Sequence, residues 1–320
     1  MSSRPHSYRA PWWLPGGHAQ TIFPALRRAP HVAFRRERWD TPDGDFIDLD
    51  WTGPDAAPRR LAVFHGLEGS SQSPYARSIA HTFAADGWRV AVVHFRGCSG
   101  EPNRLARAYH SGDSAEADWV LRRLAVPGVS LHAAGISLGG NVLLRWLCER
   151  GDEAAGVVRR AAAVSAPLDL AAANRALSRG FSRAVYATHF LRTLKKKSLA
   201  KLALHPGLFD PRRTNAARTL YEFDDTVTAP LHGYRDAADY YERASSGPVL
   251  GAIRVPTLVL NAQNDPFLPR ADLERATRGA AACVQVESPR SGGHVGFVEP
   301  AFPGRHGWLA RRLHQFLSEP

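Results

Sequence analysis

From residue 60 onward, short apolar runs alternate with stretches of helical spacing, and this alternation most narrows the folds open to the chain. Leu61-Ala62-Val63-Phe64 ends in His65-Gly66 and predicts a buried strand. Residues 75–85 have helical spacing and stop at Asp86-Gly87. The pattern continues with a strand at 89–95, a helix at 111–124, a strand at 129–134, a helix at 141–150 and a strand at 160–164. It then lapses: residues 167–250 hold helical patterns only. A strand at 256–261, a helix at 271–278, a strand at 282–287 and an amphipathic helix at 308–317 complete the series. Such alternation implies a mostly parallel central sheet with helices on both faces. Upstream, residues 32–51 alternate in part around Pro42-Asp43-Gly44-Asp45, the signal of an antiparallel hairpin. The 320 residues suit one domain spanning 1–320, with 167–250 as a helical cap inserted above the sheet.

The strand expected at 129–134 runs into Gly135-Ile136-Ser137-Leu138-Gly139-Gly140, and a helix follows. A G-x-S-x-G sequence between strand and helix suits a nucleophilic serine. A serine hydroxyl must project from a tight turn to reach a substrate, and that turn admits only small residues two places to either side. Acyl transfer builds negative charge on a carbonyl oxygen, which two backbone amides would hold. Leu138, directly after the serine, is one candidate. Leu67, in His65-Gly66-Leu67-Glu68-Gly69-Ser70, is the other.

A hydroxyl of this kind needs a base, and the base needs a carboxylate to orient it. In chain order after the serine, Asp265 follows the strand at 256–261, and His294 lies in Ser291-Gly292-Gly293-His294-Val295-Gly296-Phe297 after the last strand. Asp169 competes for the acid, and Asp224 and Asp225, within the cap, compete less well. The α/β-hydrolase fold, an antiparallel hairpin feeding a parallel sheet, accommodates this order.

The formal net charge of +11 comes mostly from scattered arginines, the four lysines being Lys195, Lys196, Lys197 and Lys201. Without a basic stripe interleaved with aromatics, no nucleic acid is expected as a partner. Cys98, Cys148 and Cys283 are too few and too irregular for a disulfide framework or a zinc site. Cys148 and Cys283 read as small core residues, and Cys98 is given no catalytic role. Residues 1–15 lack the apolar run of a signal peptide, and no stretch is long and apolar enough to span a membrane. A cytoplasmic location is the expectation.

Taken together, the motifs resemble the YheT-like branch of the α/β hydrolases, also called AB hydrolase family 4. The resemblance rests on His65-Gly66-Leu67-Glu68-Gly69-Ser70-Ser71 with Ser73-Pro74-Tyr75, on Phe95-Arg96-Gly97-Cys98-Ser99-Gly100, and on Tyr109-His110-Ser111-Gly112. Ser137-Leu138-Gly139-Gly140-Asn141, Asn264-Asp265-Pro266-Phe267 and Gly292-Gly293-His294-Val295-Gly296-Phe297 follow in the same order, and Gly17-His18-Ala19-Gln20-Thr21 resembles the family's opening segment. The resemblance implies a catalytic triad of Ser137, Asp265 and His294. It also implies a carboxylesterase or lipase acting on short- to medium-chain acyl esters or lipids, with no cofactor and no metal. Two alternatives share the scaffold: an acyltransferase passing acyl groups to alcohols, and a non-catalytic binding protein.

Three further stretches carry open readings. His18 either approaches the site entrance or packs the N-terminal segment. Residues 96–101 either order the loop beside the site or form a turn. Residues 181–201, with Arg183, Arg192 and Lys195 to Lys197, read as a solvated helix face, with attraction of acidic substrates or transient membrane contact as the other reading.

Overall fold

A computed structural model of the chain describes residues 8–319. The first structured element is one the sequence pattern does not announce, helix α1 (Gly16–Leu26). Two glycines at its start and Pro24 inside it are poor helix formers, so its packing decides its conformation. The expected hairpin follows as β1 (Arg35–Asp40) and β2 (Phe46–Thr52). Gly44, with φ of +85°, makes the reversal between them.

The remaining strands are β3 (Arg59–Phe64), β4 (Arg89–His94), β5 (Ser130–Ile136), β6 (Arg160–Val164), β7 (Thr257–Leu260) and β8 (Val284–Glu287). Together they form one eight-stranded sheet in the order β1-β2-β4-β3-β5-β6-β7-β8. The pairs β1·β2 and β2·β4 are antiparallel, and from β4 through β8 every pair is parallel. This is the α/β-hydrolase arrangement that the alternation and hairpin predicted.

Consecutive residues of β3 face opposite sides of the sheet. Ala62 and Phe64 join the core that contains Leu121, Leu124 and Trp146, from α3 (Ser114–Leu124) and α4 (Leu138–Arg150). Leu61 and Val63 join the core on the other face, with Ile79 and Phe83 of α2 (Pro74–Ala85) and Leu313 and Phe316 of the helix Trp308–Leu317. Both faces of the central strands are therefore dry, as parallel strands require, whereas the edge strands β1 and β8 keep exposed side chains.

Register matters more for the site than length does. Phe64 pairs with Gly135, Ile136 with Val164, Val164 with Leu260, and Leu260 with Glu287. The C-terminal ends of five strands thus stand in one row, and the loops that leave them share one edge, where open α/β sheets place their ligands.

Between β6 and β7 the described chain has no strand. Helices Leu170–Leu177, Thr188–Leu204, Pro211–Ala216 and Ala237–Ala244 fill this stretch, with irregular turns between them. Leu177, Tyr186, Leu191 and Phe223 form a separate apolar cluster with Phe267 from beyond β7, and Tyr240, Tyr241 and Ala244 form a smaller one with Leu170. The helix expected from 111 starts at Ser114, because the Ser111 amide donates to the Tyr240 hydroxyl (2.9 Å) and Gly112 lies against Ala244.

Asn141 joins these layers. It is fully buried on α4; its amide group donates to the carbonyls of Ser111 (2.9 Å) and Ala244 (2.8 Å), and its oxygen accepts from the Ser246 amide (3.1 Å). Asn141→Ala would strand three buried backbone groups. The expected destabilisation is about 3 kcal/mol or more, measured by urea unfolding, at about 1 kcal/mol or more for each group. A loss below about 1 kcal/mol would mean that this junction is not a mainstay of the fold.

Candidate active site

Ser137 is the single residue between β5 and α4. Its backbone takes φ +54° and ψ −118°, a region that costs non-glycine residues about 1–3 kcal/mol. Its amide donates to the Val164 carbonyl (2.8 Å). The flanking glycines explain why the turn can close. A Cβ on Gly139 would strike the carbonyls of Phe64 and His65, and one on Gly135 would strike the backbone of Gly139 and Gly140.

His294 bridges two of the expected residues. Its Nε2 lies 2.9 Å from Ser137 Oγ and its Nδ1 lies 2.8 Å from Asp265 Oδ2. The Asp265 side chain is wholly buried, and its other oxygen accepts from the Phe267 amide (2.8 Å). The Phe267 ring lies against the imidazole, with centroids 4.1 Å apart. Nδ1–H therefore donates to Asp265, which leaves Nε2 free to accept the serine proton.

The loop that carries His294 is held by residues that sequence reasoning did not single out. Gln20 Oε1 accepts from the Gly292 amide (2.9 Å) and from Asn264 Nδ2 (3.0 Å). Asn264 Oδ1 accepts from the Gly293 amide (3.0 Å), and Thr21 Oγ1 accepts from the His294 amide (2.9 Å). A Cβ on Gly17 would overlap the Asn264 carbonyl, and one on Gly296 would overlap the Gln20 carbonyl. Helix α1 therefore sits directly on the loops that carry Asp265 and His294. The quoted opening segment contained these residues, but only the fold brings them 244 to 273 positions along the chain to their partners.

Two amides beside Ser137 have no protein acceptor among the described residues. On the β3 loop, the Gly66 amide donates to the Tyr75 hydroxyl (2.8 Å) and the Glu68 amide to the Tyr109 hydroxyl (2.9 Å). The Leu67 amide between them is left over. So is the Leu138 amide, which opens α4, where no preceding turn exists to accept it. His65 fixes the root of this loop. Burial holds its imidazole down to about 3, so the ring is neutral. Its Nε2 accepts from the Phe95 amide (3.2 Å), and its Nδ1–H donates to the Gly66 carbonyl (2.7 Å).

Leu67, Leu138, Ser137 and His294 all border a cavity of about 590 Å³. The helices between β6 and β7 contribute Leu177, Phe190, Leu194 and Phe223 to its walls. The lining surface is mainly apolar, although several polar side chains border it. Asp224 faces this cavity, and burial there raises its carboxyl to about 6, although it accepts from Thr228 Oγ1 (2.6 Å) and Tyr241 Oη (2.7 Å). The rings of His110 and His232 meet at a tilt with centroids 4.2 Å apart, and burial holds both imidazoles near 3, so they are uncharged at neutral pH.

The competing carboxylates have other tasks. Asp169 caps the helix after β6 by accepting from the Ala172 amide (2.8 Å), and Asp225 accepts from the Ala237 amide (3.2 Å). Neither meets His294. His18 packs rather than lines the cavity: its Nδ1 is 3.2 Å from the Tyr186 hydroxyl and its ring lies on Phe181. Residues 96–101 do more than turn. Arg96 is buried and paired with Asp45 (3.0 Å), Asp43 (2.9 Å) and Glu116. The solvated-face reading of 181–201 holds for Arg183, Arg192 and Lys196, which are exposed, but not for all of its lysines. Lys197 pairs with Glu68 (2.9 Å), and buried Lys201 donates to the Leu105 carbonyl (2.6 Å) and to Asn103 Oδ1 (2.5 Å). Long aliphatic stems let these ammonium groups clip the helix to the loops below it. The Cys98 thiol is pushed up to about 11 by burial, and Cys148 is likewise buried; Cys283 is only half-buried.

Among the described residues, no group of three or more histidine, cysteine or acidic side chains is placed to hold a metal ion. None of their helices is long and apolar enough to cross a membrane. Of the N-terminal stretch read as lacking a signal peptide, residues 1–7 lie outside the described residues.

With this geometry in hand, comparison with known proteins is informative. A profile of the α/β hydrolase fold family matches residues 60–301. The YheT protein of Escherichia coli (strain K12) is 40% identical over 309 residues, covering 94% of this chain and 90% of that protein. Mouse phospholipase ABHD3 is 29% identical, covering 96% of this chain and 77% of its own length. The monoacylglycerol lipase of Saccharomyces cerevisiae is 29% identical, covering 89% of this chain and 63% of its own length. Among solved structures, an esterase from Exiguobacterium antarcticum superposes with a TM-score of 0.57 at 15% identity, covering 88% of this chain and 99% of that one.

The Gln20 bonds yield a test. Gln20→Ala leaves the Gly292 amide, the Asn264 amide group and the Leu14 carbonyl without their partner. It should lower the melting temperature by several degrees and slow ester turnover about tenfold or more, because a misplacement near 1 Å costs about that or more. Wild-type values for both would show that α1 does not hold the histidine loop.

Proposed function

The chain belongs to the α/β-hydrolase family, in its YheT-like branch, and on that premise we propose that it is a serine hydrolase of carboxylic esters. One observation carries the reading. Ser137, His294 and Asp265 form an unbroken hydrogen-bonded chain of 2.9 and 2.8 Å beside two amides that lack acceptors among the described residues.

In the proposed mechanism the ester carbonyl enters the cavity beside Ser137. Ser137 Oγ attacks the carbonyl carbon while His294 Nε2 takes its proton, and Asp265 steadies the imidazolium that forms. The amides of Leu67 and Leu138 donate to the oxygen that becomes negative. The tetrahedral adduct collapses, His294 returns the proton to the departing alkoxide, and an acyl group stays on Ser137. Water, deprotonated by the same imidazole, repeats the addition and frees the acid.

The substrate class follows from the walls. A volume of about 590 Å³ lies within the roughly 300–1,000 Å³ typical of sites for small organic ligands. Its apolar lining supports an acyl chain of short to medium length, and segment 167–250 serves as the cap that bounds it. The names of the phospholipase and lipase relatives agree with an ester or lipid substrate.

Ser137→Ala should lower hydrolysis of p-nitrophenyl acyl esters by about 10⁴-fold or more while leaving the melting temperature within a few degrees. Turnover within tenfold of wild type would overturn the reading. A chain-length series read on the wild-type enzyme should peak below the long-chain esters.

A further inference from the structure

We propose that the edge of the molecule formed by α1 and the loop before the last helix docks on an anionic lipid bilayer. The three most exposed large apolar side chains among the described residues are Trp12 (90%), Leu26 (81%) and Phe302 (81%). They share one base. Trp13 packs edge-to-face with Phe23 of α1 (5.2 Å) and with Phe302 (5.5 Å), and its Nε1 donates to the Pro300 carbonyl (3.3 Å). Trp12 directly precedes Trp13, and Leu26 lies one turn beyond Phe23 on α1, so the exposed side chains are tied through sequence neighbours to one aromatic base.

The charge around it is mostly positive. No aspartate or glutamate occurs before Glu37. Arg9, Arg27, Arg28 and Arg305 are exposed, and none has a carboxylate partner among the described residues. Glu299, on the loop that carries Phe302, is already paired with Arg311 (2.6 Å). Exposed arginines without a carboxylate partner also occur elsewhere, Arg179 and Arg290 for example, so what distinguishes this edge is their place beside the protruding apolar side chains.

Free guanidinium groups around protruding aromatic and aliphatic tips match the two layers of a bilayer interface. The arginines meet lipid phosphates, and tryptophan and leucine enter the boundary with the acyl chains. Large apolar groups left in water are otherwise unfavourable. An aliphatic tip such as Leu26 offers a nucleic-acid base no stacking face, so the bilayer fits better than a single strand. The inference stands on surface composition and not on the catalytic reading, but the two meet. Helix α1 also carries Gln20 and Thr21, which hold the histidine loop, so docking would bring lipid beside the active site.

The test is cosedimentation of the full chain with vesicles of phosphatidylcholine alone or with about one third phosphatidylglycerol. Binding should require the anionic lipid and weaken as salt rises. Trp12→Ala with Leu26→Ser, and separately Arg28→Glu with Arg305→Glu, should each reduce the bound fraction about tenfold or more. Both variants should keep the wild-type melting temperature and hydrolysis of a water-soluble short-chain ester. The proposal fails if wild-type protein ignores anionic vesicles, or if both variants bind like wild type. It also fails if the patch mutations instead dissociate an oligomer in light scattering, or abolish binding to a single-stranded oligonucleotide while sparing vesicles.

Discussion

Strand β5 turns into α4 across one residue, and the backbone at Ser137 accepts an unfavourable conformation to make that turn. Close packing holds it there. Gly139 lies so near the end of β3 that no side chain fits, and the Ser137 amide is tied to β6. A hydroxyl raised in this way stands clear of the sheet edge while its own backbone stays fixed on both sides. The register of five parallel strands then delivers the remaining parts to the same edge. The β3 loop brings Leu67, the turn after β7 brings Asp265, and the loop after β8 brings His294.

Fixing the serine leaves the imidazole to be positioned, and the loop holding it is a poor scaffold by itself. Gly292 and Gly293 favour mobility, and Val295 and Phe297 sit at positive φ. Order comes from outside the loop. Gln20 and Thr21 of α1, Asn264 beside the acid and Ser165 at the end of β6 each accept one of its amides or support a group that does. The N-terminal helix therefore acts as a brace across the catalytic edge. Leu26 at its end and Arg27 and Arg28 directly after it belong to the proposed lipid surface, so one short helix adjoins both that surface and the loop of His294.

Much of this was legible in the sequence because it depends on local pattern. Apolar runs between turn residues marked the strands, and the strand at 160–164 and the helix at 308–317 fall on their observed bounds. The G-x-S-x-G turn, the late aspartate and the glycine-flanked histidine mark the three candidate groups because each chemical task restricts residue type nearby. The parts that escaped are set by contacts distant in sequence. Helix α1 has weak intrinsic propensity and forms through packing. The acceptor role of Gln20 depends on residues more than 240 positions away. The lysines of 195–201 looked like a solvated run, because charge pattern alone cannot reveal that an ammonium group reaches back to a buried carbonyl.

The account rests on Ser137 Oγ being activated by His294, and the most direct measurement is covalent. Wild-type protein treated with a fluorophosphonate should gain a single adduct, mapped by peptide mass spectrometry to Ser137, at a rate that falls about 10³-fold or more in His294→Ala. No adduct, an adduct on another side chain, or an equal rate without His294 would contradict it.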